Sequence, residues 1–168
     1  SLACTIEENV LRGASNFSSV LTLPGVFDWE SSALLLDNSP KARVSCNVTD
    51  NTLYGLHVIG DCVTGNEKVY QNRFYDHYYP MYFQDDQMGT AGTLGDIGSN
   101  SFNPNNEFLQ PVHNPDQYKI YRDAALGVPH NYKYFVEPGS PINVMFQESG
   151  SAMGQPLTGF EYEVIDGP

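Results

Sequence analysis

The chain has 168 residues, 40% hydrophobic and only 17% charged. That length suits one domain, here 1–168, with enough buried surface to hold a core without a metal or disulfide staple, and the composition excludes a disordered chain. The longest apolar runs, such as Ala33–Leu36, fall far short of a membrane-spanning helix. The net charge of −12 comes with scattered Lys and Arg, which argues against direct nucleic-acid or membrane partners.

In chain order, Ser1–Arg12 is the first helix candidate, with Thr5 followed by Glu7 and Glu8. Ser18–Leu23 and Ser32–Leu36 read as strands. Arg43–Val48 alternates, placing Val44, Cys46 and Val48 on one side of a single strand. Leu53–Ile59, Lys68–Tyr75 and Pro80–Gln84 follow as further strands. Pro24-Gly25, Asn38-Ser39-Pro40, Asp50-Asn51 and Gly65-Asn66 supply turn chemistry between them.

From Asp85 to Pro115 the chain is rich in Gly, Asn, Ser and Pro and carries no strand pattern. A loop of this length is either functional or mobile. It reads as a surface excursion ordered by Leu94, Ile97, Phe102 and Phe108, or as an arm reaching a neighbouring subunit. Beyond it, Gln117–Arg122 reads as a strand, within a second helix candidate at Asp116–Leu126. Tyr132, Tyr134 and Val136 share a face, as do Ile142, Val144 and Phe146, and Phe160, Tyr162 and Val164. No repeat of fixed period is evident, which argues against a propeller or solenoid. The expected fold is all-β: a two-sheet antiparallel β-sandwich of jelly-roll type with one long loop.

No nucleophile elbow, clustered histidines or paired Cys-x-x-Cys motif is present in the sequence, so an enzyme is not expected. No cofactor is expected either, with calcium as the one candidate. Asp96, Asn100 and Glu107 occupy the first, fifth and twelfth places of a calcium-type loop, but Gly98 and Ser101 break its pattern. Asp85, Asp86, Asp96 and Glu107 could still offer hard oxygen ligands in an irregular site or between subunits.

The run Phe74–Phe83 is unusually aromatic. Tyr75, Tyr78, Tyr79 and Tyr82, with Phe102 and Phe108 from the long loop, are candidates for a subunit interface or a ligand platform, because Tyr and Phe favour such surfaces. The bland alternative is a strand pair packed in the core. Asn16 and Asn47 head glycosylation sequons; the odd count of three cysteines, Cys4, Cys46 and Cys62, reads as reduced thiols of an intracellularly folded chain, with a Cys46–Cys62 bridge as the alternative in a secreted one.

The C-terminal third runs Asn114-Pro-Asp116-Gln-Tyr118-Lys-Ile120-Tyr-Arg-Asp123, then Tyr132–Glu137, Ile142–Gln147 and Gly159–Asp166. Over about the last 55 residues this pattern resembles the closing strands of single jelly-roll coat proteins of small viruses and phages. The resemblance implies a virion structural protein, a capsid, minor capsid or decoration subunit. Its partners would be copies of itself or other capsid proteins. The chain departs from that family in having no Lys/Arg-rich arm, which points to an outer or decoration position. The rival reading is a secreted, extracellular carbohydrate-binding sandwich, resting on the sequons, the Cys46–Cys62 pair and the Tyr platform.

Overall fold

The computed structural model describes residues 5–13, 32–62, 68–88, 90, 92–99, 104–108, 118–123, 132–136, 145–148 and 160–164. Beyond Phe108, Ile120 is the one residue whose side chain is described. Every regular element among them is a strand, so the protein is all-β.

The strands are β1 (Thr5–Glu7), β2 (Val10–Arg12), β3 (Ser32–Asp37), β4 (Arg43–Ser45), β5 (Val48–Asp50), β6 (Tyr54–Ile59) and β7 (Val69–Tyr70). They continue as β8 (Arg73–Tyr75), β9 (Tyr79–Gln84), β10 (Glu107–Phe108), β11 (Tyr118–Asp123), β12 (Tyr132–Val136), β13 (Met145–Glu148) and β14 (Phe160–Val164).

Three sheets run in the orders β1-β4-β7, β10-β8-β5-β2 and β13-β11-β9-β6-β3, with β12 and β14 forming a separate pair. Through β9 the chain visits the first, second and third sheets in rotation, three times over. Each visit adds one strand beside the strand of the previous coil. This is a parallel β-solenoid, whose coils cannot bury a core singly but do so when stacked.

The antiparallel two-sheet expectation is therefore corrected. Every pairing between described strands is parallel. Alternation reports which face of a strand is buried, and it carries no information on the direction of the neighbour. The corners explain the difference. Arg43–Val48 is not one strand: Cys46 takes φ 57° and breaks it into β4 and β5. Gln71, at φ 53°, divides Lys68–Tyr75 into β7 and β8 in the same way. One left-handed residue turns the chain into the next sheet, where a hairpin would reverse it. Parallel partners then become adjacent only after a full coil.

The solenoid was expected to be absent because no fixed period is visible. Tyr54 and Tyr79, Val44 and Val69, and Val48 and Arg73 are register partners at one common spacing. Other partners lie at different spacings, such as Val10 with Val48 and Met81 with Ile120. Chain inserted at the corners hides the repeat. Both helix candidates are also corrected: Ser1–Arg12 holds β1 and β2, and Asp116–Leu126 holds β11. These segments gain main-chain partners on neighbouring coils, which overrides weak local helical preference. Ser18–Leu23 and Phe102 lie outside the described residues.

The core is built as rows running along the solenoid. Leu34, Leu56, Met81 and Ile120 stack in register in the third sheet, beside the row Leu36, Val58, Phe83. Ile6, Val44 and Val69 form the row of the first sheet, and Leu11, Thr49, Phe74 and Phe108 that of the second. Leu94 and Ile97, from the long loop, are 1% and 2% exposed within the same core. Main-chain bonds from Thr93 N to Gly60 O and from Cys62 N to Thr93 O hold this stretch of the loop against the preceding coil, just past the end of β6. Leu94 and Ile97 thus order this part of the loop as expected, whereas β10 (Glu107–Phe108) falls inside the stretch expected to carry no strand, because its main chain pairs with β8 of the preceding coil.

Candidate functional site

Two polar constructions stand out, one at a corner and one on the third sheet. At the corner between the first and second sheets, Asn9, Asn47, Asn72 and Asn106 each follow a residue in the left-handed region: Glu8, Cys46, Gln71 and Asn105. That backbone aims each amide along the solenoid axis. Asn47 donates from its main-chain N at 3.1 Å and from Nδ2 at 3.0 Å to Asn72 Oδ1. Asn72 does the same to Asn106 Oδ1, at 3.0 Å in both cases. Asn9 does so to Asn47 Oδ1, at 3.1 and 3.0 Å. Each lower amide returns a bond to the coil above, from Asn47 Nδ2 to Ile6 O, Asn72 Nδ2 to Val44 O and Asn106 Nδ2 to Val69 O. Asn47 and Asn72 are fully buried, so this ladder satisfies polar groups that would otherwise be costly.

On the third sheet, β6 and β9 set His57 beside Tyr82 and Tyr54 beside Tyr79 in register. Leu53, Tyr54 and Tyr82 form a second apolar cluster, with Tyr78 and Tyr79 packed against it. Tyr54 stacks on Tyr79 at 6.0 Å between centroids, and Tyr78 meets Tyr79 edge-on at 4.6 Å. His57 is 1% exposed, with its ring 4.7 Å from that of Tyr54 and 5.1 Å from that of Tyr82. Its Nε2 lies 3.0 Å from Gln84 Oε1, an acceptor, so Nε2 carries the proton. Nδ1 then accepts from the Ser32 hydroxyl at 3.1 Å. Burial pushes the His57 pKa down, opposed by the Gln84 bond, and keeps the ring neutral.

His77 is also fully buried, at the corner after Asp76, whose φ is 49°. Its Nδ1 lies 3.3 Å from Thr52 N, 2.9 Å from Thr52 Oγ1 and 3.2 Å from Thr52 O, and its Nε2 lies 2.8 Å from Thr49 Oγ1. Burial lowers its pKa as well.

No protein-family model, curated protein or solved structure matches the chain.

The predicted aromatic residues divide between two places. Tyr78, Tyr79 and Tyr82 come together in the cluster above, where Tyr82 is buried and the other two are half-buried. Tyr75 is half-buried on the second sheet. Phe108 stacks on Phe74 at 5.4 Å as part of the main core.

The acidic residues are spent separately. Asp86 Oδ1 accepts the N–H groups of Thr90 at 2.6 Å and Met88 at 2.9 Å, and these bonds, Thr90 first, lower its pKa. Asp85 Oδ1 accepts from Gly92 N at 3.3 Å, while its Oδ2 is buried without a hydrogen-bond partner among the described residues. Glu107 pairs with Arg73 at 3.1 Å, and Asp96 is half-buried. Among the described residues, no three Asp, Glu, His or Cys side chains converge as a metal group.

Two supports for a secreted sugar-binding module are removed. Asn47 has no exposure and its Nδ2 is already bonded, so the folded chain offers that sequon no glycan attachment point. Cys46 and Cys62 are both free thiols, not a bridge.

The ladder, Ser32, His57 and Gln84 were all missed as a set by sequence reading. One signal was present: Glu8-Asn9-Val10, Cys46-Asn47-Val48, Gln71-Asn72-Arg73 and Asn105-Asn106-Glu107 each put Asn just before a strand.

Proposed function

We propose that the chain is a structural subunit that acts by assembly, and that a virion coat, minor coat or decoration subunit is its specific form. The observation that carries this reading is the use of its polar side chains. Asn47, Asn72 and His77 are fully buried and bonded to neighbouring coils. Satisfied internal networks of this kind stiffen a scaffold. A stiff solenoid works by presenting faces and strand edges to partners.

The partners in this reading are copies of the chain or other capsid proteins. Tyr75, Tyr78 and Tyr79 are half-buried and supply aromatic contact area. The jelly-roll form implied by the coat-protein resemblance needs antiparallel neighbours. The proposal therefore rests on the solenoid and its aromatic face, without that topology.

The test is size-exclusion chromatography with light scattering on the purified chain, with calcium and again with chelator. A discrete symmetric oligomer is the expected result. Its loss in chelator alone would assign Asp85, Asp86, Asp96 or Glu107 to a calcium-bridged interface. A monomer at every loading in both buffers would overturn self-assembly.

A further inference from the structure

Among the described residues, the asparagine ladder has an open upper rung. Asn47, Asn72 and Asn106 each receive two N–H donors on Oδ1 from the asparagine of the coil above. Asn9 is the first rung, is half-buried, and its Oδ1 receives no donor among the described residues. Its Nδ2 bends back to Glu7 O at 3.0 Å, whereas the lower rungs donate to the coil above.

The surroundings agree with this. β1 and β2 end their sheets, each paired on one side only among the described strands. Ile6 and Leu11 head the inward rows yet are only partly buried, while Val44 and Phe74 in the same rows have no exposure. Val10 is 64% exposed.

We propose that the Asn9 end of the solenoid is a docking surface for one further parallel β-coil. The occupant is an extended polypeptide segment in which a left-handed residue is followed by Asn and then a strand. Hydrogen-bond complementarity specifies it. The incoming Asn supplies its main-chain N–H and Nδ2 to Asn9 Oδ1, and Asn9 Nδ2 turns to a carbonyl three residues before that Asn. This repeats what Asn9 and Asn47 do one coil below. An antiparallel strand cannot satisfy both bonds.

A second copy does not fit this end. Stacked head to tail, it would bring its Asn106 over Asn9. Its third sheet continues past β11 to β13, so β13 would occupy the place its partner's β3 must take. The proposal does not depend on the self-assembly described above, which invokes the aromatic face.

The experiment titrates the full chain with a labelled peptide copying Ala42–Asp50, under reducing conditions, read by fluorescence anisotropy. That segment carries β4, Cys46 in the left-handed region, Asn47 and β5. Saturable one-site binding is expected, weakened at least tenfold by Asn9→Ala or by alanine at the peptide's Asn47. Asn9→Asp keeps the acceptor and should retain part of the binding, which separates docking from a folding defect. No saturable binding, or binding unchanged by Asn9→Ala, would overturn the proposal. If Asn9→Ala instead dissolves an oligomer of the chain, the end holds a second copy and the proposal also falls. An oligomer indifferent to Asn9→Ala, with no peptide binding, would leave self-assembly standing and remove only this docking site.

Discussion

Asn72 Oδ1 accepts two hydrogen bonds from Asn47, 3.1 Å from its main-chain N and 3.0 Å from its Nδ2, across two coils whose strands pair in parallel. Both residues have no solvent exposure. The bond pair fixes the stagger of one coil on the next, because a slip along the strand would break both contacts together.

Asn72→Ala should therefore be among the most damaging single changes. It strands the Asn47 donors and removes the bond to Val44 O, leaving buried groups unmet. A loss of about 2–4 kcal/mol is expected. Asn9→Ala, at the half-buried first rung, should cost under about 1 kcal/mol. Urea midpoints of the two variants at unchanged slope check the ranking, and equal losses would contradict it.

Gly55 sits within β6 against the next coil. A Cβ there would lie 2.6 Å from Pro80 O, 2.7 Å from Phe74 Cδ1 and 2.8 Å from His77 Cδ2. One of those atoms is main chain and the other two belong to fully buried rings, so the space cannot open cheaply. Gly55→Ala should destabilise by about 1–3 kcal/mol, although Ala is otherwise at least as well tolerated in a strand. Thermal melts of the variant test this, and a neutral change would show that β6 and β9 can separate locally.

Stability should fall on mild acidification. His57 and His77 have folded-state pKa values pushed below the ordinary histidine value, burial being the largest cause in each. The unfolded chain then binds more protons than the folded one. Stability rises with pH through this range and is lost as pH drops below the unfolded value of about 6.5. A falling melting temperature between about pH 7 and about pH 5.5 is expected, before most carboxylates titrate. A flat profile there would mean both rings can be protonated in place.

The two described thiols should differ in reactivity. Cys62 is fully buried and burial pushes its pKa up, whereas Cys46 is partly exposed at a corner. Only thiolate reacts readily, so native labelling should modify Cys46 well before Cys62. Mass spectrometry of peptides after timed alkylation reads this directly. Rapid native modification of Cys62 would show that the junction between the two coils carrying Ser39 and Ile59, both of which it contacts, opens easily.

Several strands were legible because their buried residues repeat with period two. Ser32–Leu36, Leu53–Ile59 and Pro80–Gln84 agree closely with β3, β6 and β9. The aromatic cluster was legible in part, since Tyr78, Tyr79 and Tyr82 do come together. His57 was not, because its role depends on Ser32 and Gln84 from two other strands. A side chain's partners across coils are set by register, which no local window contains.

By itself the sequence determined an all-β chain, because alternation and turn residues act within a few positions. The corner asparagines Asn9, Asn47, Asn72 and Asn106 stand in the sequence too, but their neighbours Glu8, Cys46, Gln71 and Asn105 share no residue type, so the left-handed backbone before each is visible only in the fold. Only the tertiary structure decided strand direction and coil order. Those depend on whether a turn reverses the chain or bends it, and Cys46 at φ 57° and Gln71 at φ 53° bend it. Stacking then places Asn47 over Asn72 and converts scattered amides into one ladder. Main-chain pairing over a full coil supplies that result, through contacts between residues far apart in sequence.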